Sequence, residues 1–495
     1  MTDLAALSAT GMTAAFADGS LSPVETLEAV EARAHASQPV LNAFCRFDPE
    51  GALAAARASE ARWKAGTPLG PLDGVPVSVK DMILTKGMAT LKGSLTVDPA
   101  GPWDEDAPAV ARLRAAGAVL FGKTTTTEFG GSPYSTSPLT GPTNNAYNPA
   151  YGNCGSSMGA AAQLAAGIGP LALANDAAGS IRMPASFGGC FGIKPSYGLV
   201  ANYPPSAAGN LGHVGPMSWT VADAAAMLAL IAGPDPRDPD ALPPQPAADI
   251  AMLTGAAREA GVRGLRIAYS RDLGLVAPEP EVAAAADAAA AVFAELGAHV
   301  EEATPNLSGL FDAYDTLRLT HRAAGILALP PEERAKLDPV VARVAEMAEH
   351  YTVSDYIRAC NERMRLKRVM LDFHARYDIL LTPTMAVLPH RQGIAQVPGD
   401  RHWYEMNGKI WAPYTFAFNM THQPAASIVC GLTGEDSREA PGLPIGLQIV
   451  AAPFADALVL AAAAAFEAAR PPLRPVFGAP PAAQGTTVPQ GGAVA

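Results

Sequence analysis

The sequence predicts an α/β fold. Short apolar runs of strand length alternate with longer segments of helical period along most of the chain, the pattern of strands and helices layered on a sheet. Hydrophobic residues make up 49% and charged residues 17% of the 495. That composition supplies a large core and excludes wholesale disorder.

Taken in order, the first helix is expected over 21–37. Ser22 suits its N-cap, Pro23 its first position, and Glu25 can reach back to close a capping box. Val24, Leu27 and Val30 then recur at helical spacing. Similar helices are expected over 51–64 and 107–116, and short strands over 75–79 and 118–121. The stretch 156–198 is rich in Gly and Ala, which lets backbone and helices approach closely; a helix is expected there over 160–166. The run 233–249 reads as a proline-rich connector without regular structure. A β-α-β stretch follows, with a strand at 265–270, a helix at 279–296 and a strand at 299–302. Further strands are expected at 379–382 and 446–450. Residues 471–495, rich in Pro, Gly, Ala and Gln, read as a poorly ordered tail.

Forty-seven acids against 35 bases give a net charge of −12. With no basic stretch, this argues against a nucleic-acid binder. The longest apolar runs, such as 457–466, fall short of the ~20 residues of a membrane span. The N-terminus lacks a basic region followed by an apolar stretch, so no signal peptide is expected and the cytoplasm is the expected compartment. The five cysteines, Cys45, Cys154, Cys190, Cys360 and Cys430, form no CxxC pair and no disulfide framework.

One motif is a decoy. Gly117 to Thr124 spells G-x4-G-K-T, but a phosphate loop needs a strand before the first Gly and a helix after the Thr. Here a helical segment precedes Gly117, and the four intervening residues read as a strand, so Lys123 is expected to be structural.

Three segments could carry chemistry. The first ends the strand at 75–79 in Lys80-Asp81; a lysine there is unusual because Lys is rarely buried without a task, although a snorkelling lysine paired with Asp81 would look the same. The second is Gly155-Ser156-Ser157-Met158 before a helix, where either serine could be only an N-cap. The third is Asp176-Ala177-Ala178-Gly179-Ser180-Ile181-Arg182. Small residues before Ser180 leave backbone N–H groups uncovered, as an oxyanion hole requires, but a simple helix-start turn with an Asp176–Arg182 ion pair fits as well.

Together the three resemble the amidase signature family of serine hydrolases. Gly155 to Gly198 (GSSMGAAAQLAAGIGPLALANDAAGSIRMPASFGGCFGIKPSYG) is similar to its defining stretch, and the 24-residue step from Ser156 to Ser180 matches its spacing. GVPVSVKD, GAVLFGKTTTTEFG, DILLTPT and LPIGLQIVA follow as further landmarks in family order. The resemblance implies a mixed central sheet with helices on both faces. It also implies a single domain over 1–470, with its core near 70–200 and a more variable, substrate-side region over 250–420. It assigns Ser180 as nucleophile, Ser156 as a bridging serine after a cis peptide from Gly155, and Lys80 as base. The N–H groups of Ala177, Ala178, Gly179 and Ser180 become the oxyanion hole. Gly155, Ser157, Asp176 and Arg182 become the supporting shell.

The chemistry implied is cleavage of the C–N bond of a small, aryl or alkyl amide through an acyl-enzyme, without a metal or organic cofactor. A carbamate would suit the same relay. So would glutamine, as hydrolysed by the corresponding component of the tRNA-dependent amidotransferase, although the Arg- and Tyr-rich segment of that component is missing from 348–376. A binding protein that has lost catalysis is the rival of another class, yet Lys80, Ser156 and Ser180 are all present. The partner expected is a small-molecule amide or carbamate, and a homodimer is compatible with the family. Ala-Ala-Gly-Ser at 177–180 resembles the nylon-oligomer hydrolase branch. Met158 stands where the family usually has Gly; it either fills a core gap or narrows the site.

A serine needs a base, and none of the nine histidines lies in these segments. Lysine serves only when neutral. From a free pKa of ~10.4, working near pH 7.5 needs a fall of ~3 pH units, ~4 kcal/mol, which apolar burial can supply. The aromatics Trp403, Tyr404, Trp411, Tyr414, Phe416 and Phe418 either line an acyl pocket or belong to the core.

Overall fold

The computed structural model describes residues 3–259, 261–393, 405–406 and 409–475. Its frame is an eleven-stranded mixed sheet. In chain order the strands are β1 (Phe44–Phe47), β2 (Pro76–Lys80), β3 (Val119–Thr124), β4 (Leu171–Asp176), β5 (Phe191–Lys194), β6 (His213–Ser218), β7 (Arg266–Tyr269), β8 (His299–Glu302), β9 (Ile379–Pro383), β10 (Ala425–Leu432) and β11 (Pro444–Ala451). Across the sheet they run β1-β3-β2-β4-β6-β5-β10-β11-β9-β7-β8. β2 lies parallel to both β3 and β4, whereas β6 meets β4 antiparallel with His213 opposite Asp176.

A helix over Ala9–Asp18 comes first, followed by α1 (Pro23–Leu41), whose Ser22–Glu25 capping box forms as its sequence predicts. α2 (Pro49–Lys64), α3 (Pro108–Ala115), α4 (Met158–Ala165), α5 (Arg182–Gly188), α6 (Val221–Ile231), α7 (Pro280–Glu295), α8 (Leu310–Leu327), α9 (Val353–His374) and α10 (Asp456–Ala469) follow. Alternation along β4 shows the layering. Leu171 and Leu173 join the core built with α6, α7 and α10 on one face. Ala172 and Ala174 face α4 and α5 on the other, because successive strand side chains point to opposite sides. α8 and α9 cover that second face farther along, with Leu380 and Val450 beneath them.

Small residues let the second face pack tightly: a Cβ on Gly159 would stand 2.2 Å from the Ala43 carbonyl, and one on Gly188 2.5 Å from the Ala161 Cβ. The run 233–249 departs from expectation only at its end, where a helix over Ala247–Glu259 begins. The G-x4-G-K-T decoy is a strand, not a loop: Gly122, Lys123 and Thr124 belong to β3. Lys123 is buried and its ammonium donates to the Ile83 carbonyl and to the hydroxyls of Thr85 and Thr90. Of the expected tail, residues 471–475 are described: Leu473 accepts a hydrogen bond from the Tyr147 hydroxyl, and the Arg474 guanidinium lies over the Trp219 ring. The rest of it lies outside the described residues. No helix among the described residues is long and apolar enough to cross a membrane.

Candidate active site

Lys80 is the last residue of β2 and is completely buried. Its Nζ lies 2.7 Å from Ser156 Oγ and 3.4 Å from the Asn175 carbonyl at the end of neighbouring β4. Among the described residues no carboxylate hydrogen-bonds to it. Burial pushes its pKa far down; Asp176 opposes that fall and Arg322 adds to it. Asp81 turns the other way, as alternation requires, and accepts from the backbone N–H groups of Leu91 and Gly93.

Ser156 follows Gly155 through a cis peptide bond. Gly155 has no room for a side chain, since a Cβ there would meet the Ser132 carbonyl at 2.3 Å. Ser157 occupies the N-cap position of α4 but does not cap it through its hydroxyl. That hydroxyl is buried without a partner, and the Ser157 N–H donates to the Ser180 carbonyl at 3.3 Å. The segment is therefore not held by ordinary capping. Met158 is fully buried at the start of α4, which is the core-filling alternative.

Asp176 ends β4 and organises the turn that follows. Its carboxylate accepts from the N–H groups of Gly179 (2.7 Å) and Ile181 (3.1 Å), from the guanidinium of Arg182 (3.0 Å) and from the Asn419 amide (2.9 Å). Burial pushes this carboxyl up, but Arg182 and Asn419 outweigh burial and hold it below the usual carboxylate range. Arg182 is equally buried and also donates to the Thr415 carbonyl (2.7 Å), Gln448 Oε1 (2.8 Å) and Asn419 Oδ1 (2.6 Å). The Asp176–Arg182 pair is thus real, and it is the hinge pin of a larger network.

Gly179 has φ +122, and a Cβ there would sit 2.4 Å from Thr415 Oγ1; only glycine fits. Ala178 needs no such freedom, for it is not among the residues with positive φ. Of the four expected oxyanion donors, the Gly179 N–H is already engaged by Asp176. Among the described residues the N–H groups of Ala177, Ala178 and Ser180 make no hydrogen bond.

Ser156 and Ser180 open into one cavity of about 1000 Å³, counting its mouth. Met82, Ile83, Leu84 and Phe129 give it apolar surface, and Tyr203 and Arg322 add polar groups. The Ser180 hydroxyl makes no hydrogen bond among the described residues, so contact between the two serines requires it to turn toward Ser156. Such contacts often tighten only when substrate is bound. His213 also lines the cavity. Its Nδ1 lies 2.8 Å from the Leu211 carbonyl, and burial keeps the ring neutral.

Several participants were not singled out from sequence: Arg322, Thr415, Asn419, Gln448 and the turn at Phe129–Gly131. Gln448 and the Phe129–Gly130 turn fall within the quoted landmarks LPIGLQIVA and GAVLFGKTTTTEFG without being picked out there, and no local pattern marks Arg322, Thr415 or Asn419. The aromatic segment resolves in favour of the core. Trp411 packs its edge against Tyr134 and His390, and Phe416 stacks on Tyr314 at 4.2 Å. Tyr414 and Phe418 are fully buried, while Trp403 and Tyr404 lie outside the described residues.

Comparison with known proteins agrees with this geometry. The amidase family model matches residues 25–460. The chain is 36% identical to an acylamidase of Rhodococcus erythropolis, over 94% of this chain and 96% of that one. It is 35% identical to a glutamyl-tRNA(Gln) amidotransferase component of Chloroflexus aurantiacus, over 94% and 97%. The structure of a bacterial aryl acylamidase of the amidase signature family superposes with a TM-score of 0.85 at 30% identity, covering 95% of this chain and 97% of that one. With its family match, its sheet and its buried lysine–serine contact, the chain belongs to the amidase signature family, hydrolases that act on amide C–N bonds.

Proposed function

We propose that Ser180 is the nucleophile of amide hydrolysis, Ser156 the bridging hydroxyl and Lys80 the general base. The observation that carries this reading is the fully buried Lys80 amine, 2.7 Å from Ser156 Oγ and with no carboxylate in hydrogen-bond contact among the described residues, behind a serine that shares one cavity with Ser180. A neutral amine in that position can accept a proton at neutral pH, which an exposed lysine cannot. Lys80 takes the Ser156 proton as Ser156 takes that of Ser180, and Ser180 Oγ attacks the amide carbon. The N–H groups of Ala177, Ala178 and Ser180 face the developing oxyanion; the Gly179 N–H is withheld from it by Asp176. The relay returns its proton to the nitrogen as the C–N bond breaks. Water then repeats the sequence on the acyl-enzyme.

The names of two relatives, an acylamidase and an aryl acylamidase, support an acyl amide as substrate. The free state of all five cysteines supports a reducing compartment such as the cytoplasm. The test is labelling with a fluorophosphonate probe alongside turnover of acyl anilides, alkyl amides, carbamates and glutamine. Labelling at Ser180 with release of amine from acyl amides is expected. Absence of labelling, or activity on glutamine alone and only with added partner proteins, overturns the reading.

A further inference from the structure

Part of the cavity wall beside Ser156 lies outside the glycine-rich stretch, in a turn held from across the molecule. Phe129 and Gly130 both adopt left-handed backbone, with φ 48 and 62, a conformation that a bulky residue such as Phe keeps only under external restraint. Two arginines on successive turns of α8 provide it. Arg322 donates through Nη1 to the Phe129 carbonyl (2.9 Å) and through Nη2 to the Gly130 carbonyl (3.0 Å), while Arg318 donates through Nη2 to the Gly131 carbonyl (3.0 Å). Three consecutive carbonyls are thus clamped by one helix. The clamp reaches the reacting groups, because a Cβ on Gly130 would sit 3.2 Å from Ser156 Oγ and 3.8 Å from Arg322 Nη2. Among the described residues the Arg322 guanidinium forms no ion pair, and its Nε is buried without a partner.

We infer that Arg322 is a positioning residue of the hydrolytic site: it presses the Phe129–Gly131 turn against Ser156 and places an unpaired positive charge beside the Lys80–Ser156 contact. The inference rests on the reading of Lys80 as base. The groups facing Lys80 are Asp176 from β4, whose charge is shared with Arg182 and Asn419, and Arg322 from α8. Arg322 itself faces Arg318 and Tyr314 on its own helix, and burial together with Arg318 pushes it down to about 9. It therefore remains a cation at neutral pH. Asp176 favours a proton on Lys80 and Arg322 disfavours it. Removing the arginine removes the one cation that disfavours a proton on Lys80 there, so Lys80 should hold its proton to higher pH.

The experiment is the pH profile of kcat/KM for the intact enzyme, Arg322→Met, Arg322→Lys and Lys80→Ala, with thermal midpoints for all four. Arg322→Met should move the acid limb upward by about half a pH unit or more and lower kcat about tenfold. Arg322→Lys, which keeps the charge but not the two-pronged grip, should leave the limb in place while kcat still falls. A limb that stays put in Arg322→Met, or moves equally in Arg322→Lys, overturns the inference while the base assignment stands. A Lys80→Ala enzyme with undiminished turnover overturns the base assignment and this inference with it. Should Arg322→Met not fold, Arg322→Gln carries the same limb measurement.

Discussion

Lys80 sets the terms of the site at the level of single residues. Its folded pKa lies below the value in the unfolded chain, so between those two values the unfolded chain binds more protons than the native one. Stability therefore rises with pH through that window. A buried amine kept neutral is thus a cost at neutral pH, and Lys80→Met should abolish turnover while raising the thermal midpoint at pH 7. That gain should shrink as the pH is raised toward 10, which a pair of melting series would reveal. Where Lys80 costs stability at neutral pH, Asp176 contributes it, with a pH slope of the same sign. Its depressed pKa contributes stability that is present above the ordinary carboxylate range and lost as pH falls through the folded value. Asp176→Asn leaves Arg182 without its carboxylate, and chemical denaturation should show a loss of about 3–5 kcal/mol, the usual result of stranding a buried charge. Ser180→Ala should fold normally, judged by its melting curve, and hydrolyse nothing; retained turnover would remove Ser180 from the mechanism.

The elements themselves were legible to different degrees, for physical reasons. α1 declares itself through its N-terminal residues and period, with Ser22 where the structure caps the helix; α2 and α7 are expected near their observed bounds, α2 starting two residues earlier than expected. β4 and β5 were not recognised, because Leu171–Asp176 and Phe191–Lys194 lie among residues that are small or apolar on both faces. A short run of that kind carries no alternation to read. The three candidate segments could be singled out because each is local, even though Lys80 and Ser156, which the structure brings together, stand 76 positions apart. Arg322 and Asn419 could not, since their meaning arises only where α8 and the 415–419 segment cross the ends of β2 and β4. The turn after β4 is the element most sensitive to change. Gly179→Ala combines φ +122 with a 2.4 Å approach to Thr415 Oγ1. It should cut turnover by at least about a hundredfold, the usual loss when an oxyanion donor is misplaced. An unaffected rate would show that this turn does not face the reaction.

On the scale of the whole molecule, the mixed sheet sets the Lys80 end of β2 beside the Asp176 end of parallel β4, and segments from elsewhere in the chain help to wall the cavity. Labelling by a fluorophosphonate should consequently follow global unfolding in denaturant, with no step in which the serine is lost before the fold. Two separated transitions would show that the site melts as a unit of its own.

Arg182 has a consequence for how this chain is made. Three of its acceptors belong to Thr415, Asn419 and Gln448, more than two hundred positions downstream. A product of premature termination at residue 400 would still contain Lys80, Ser156 and Ser180. It would keep the Asp176–Arg182 pair but lose the three acceptors that anchor it, and is expected to be inert, so the ribosome must nearly finish its work before a first turnover is expected.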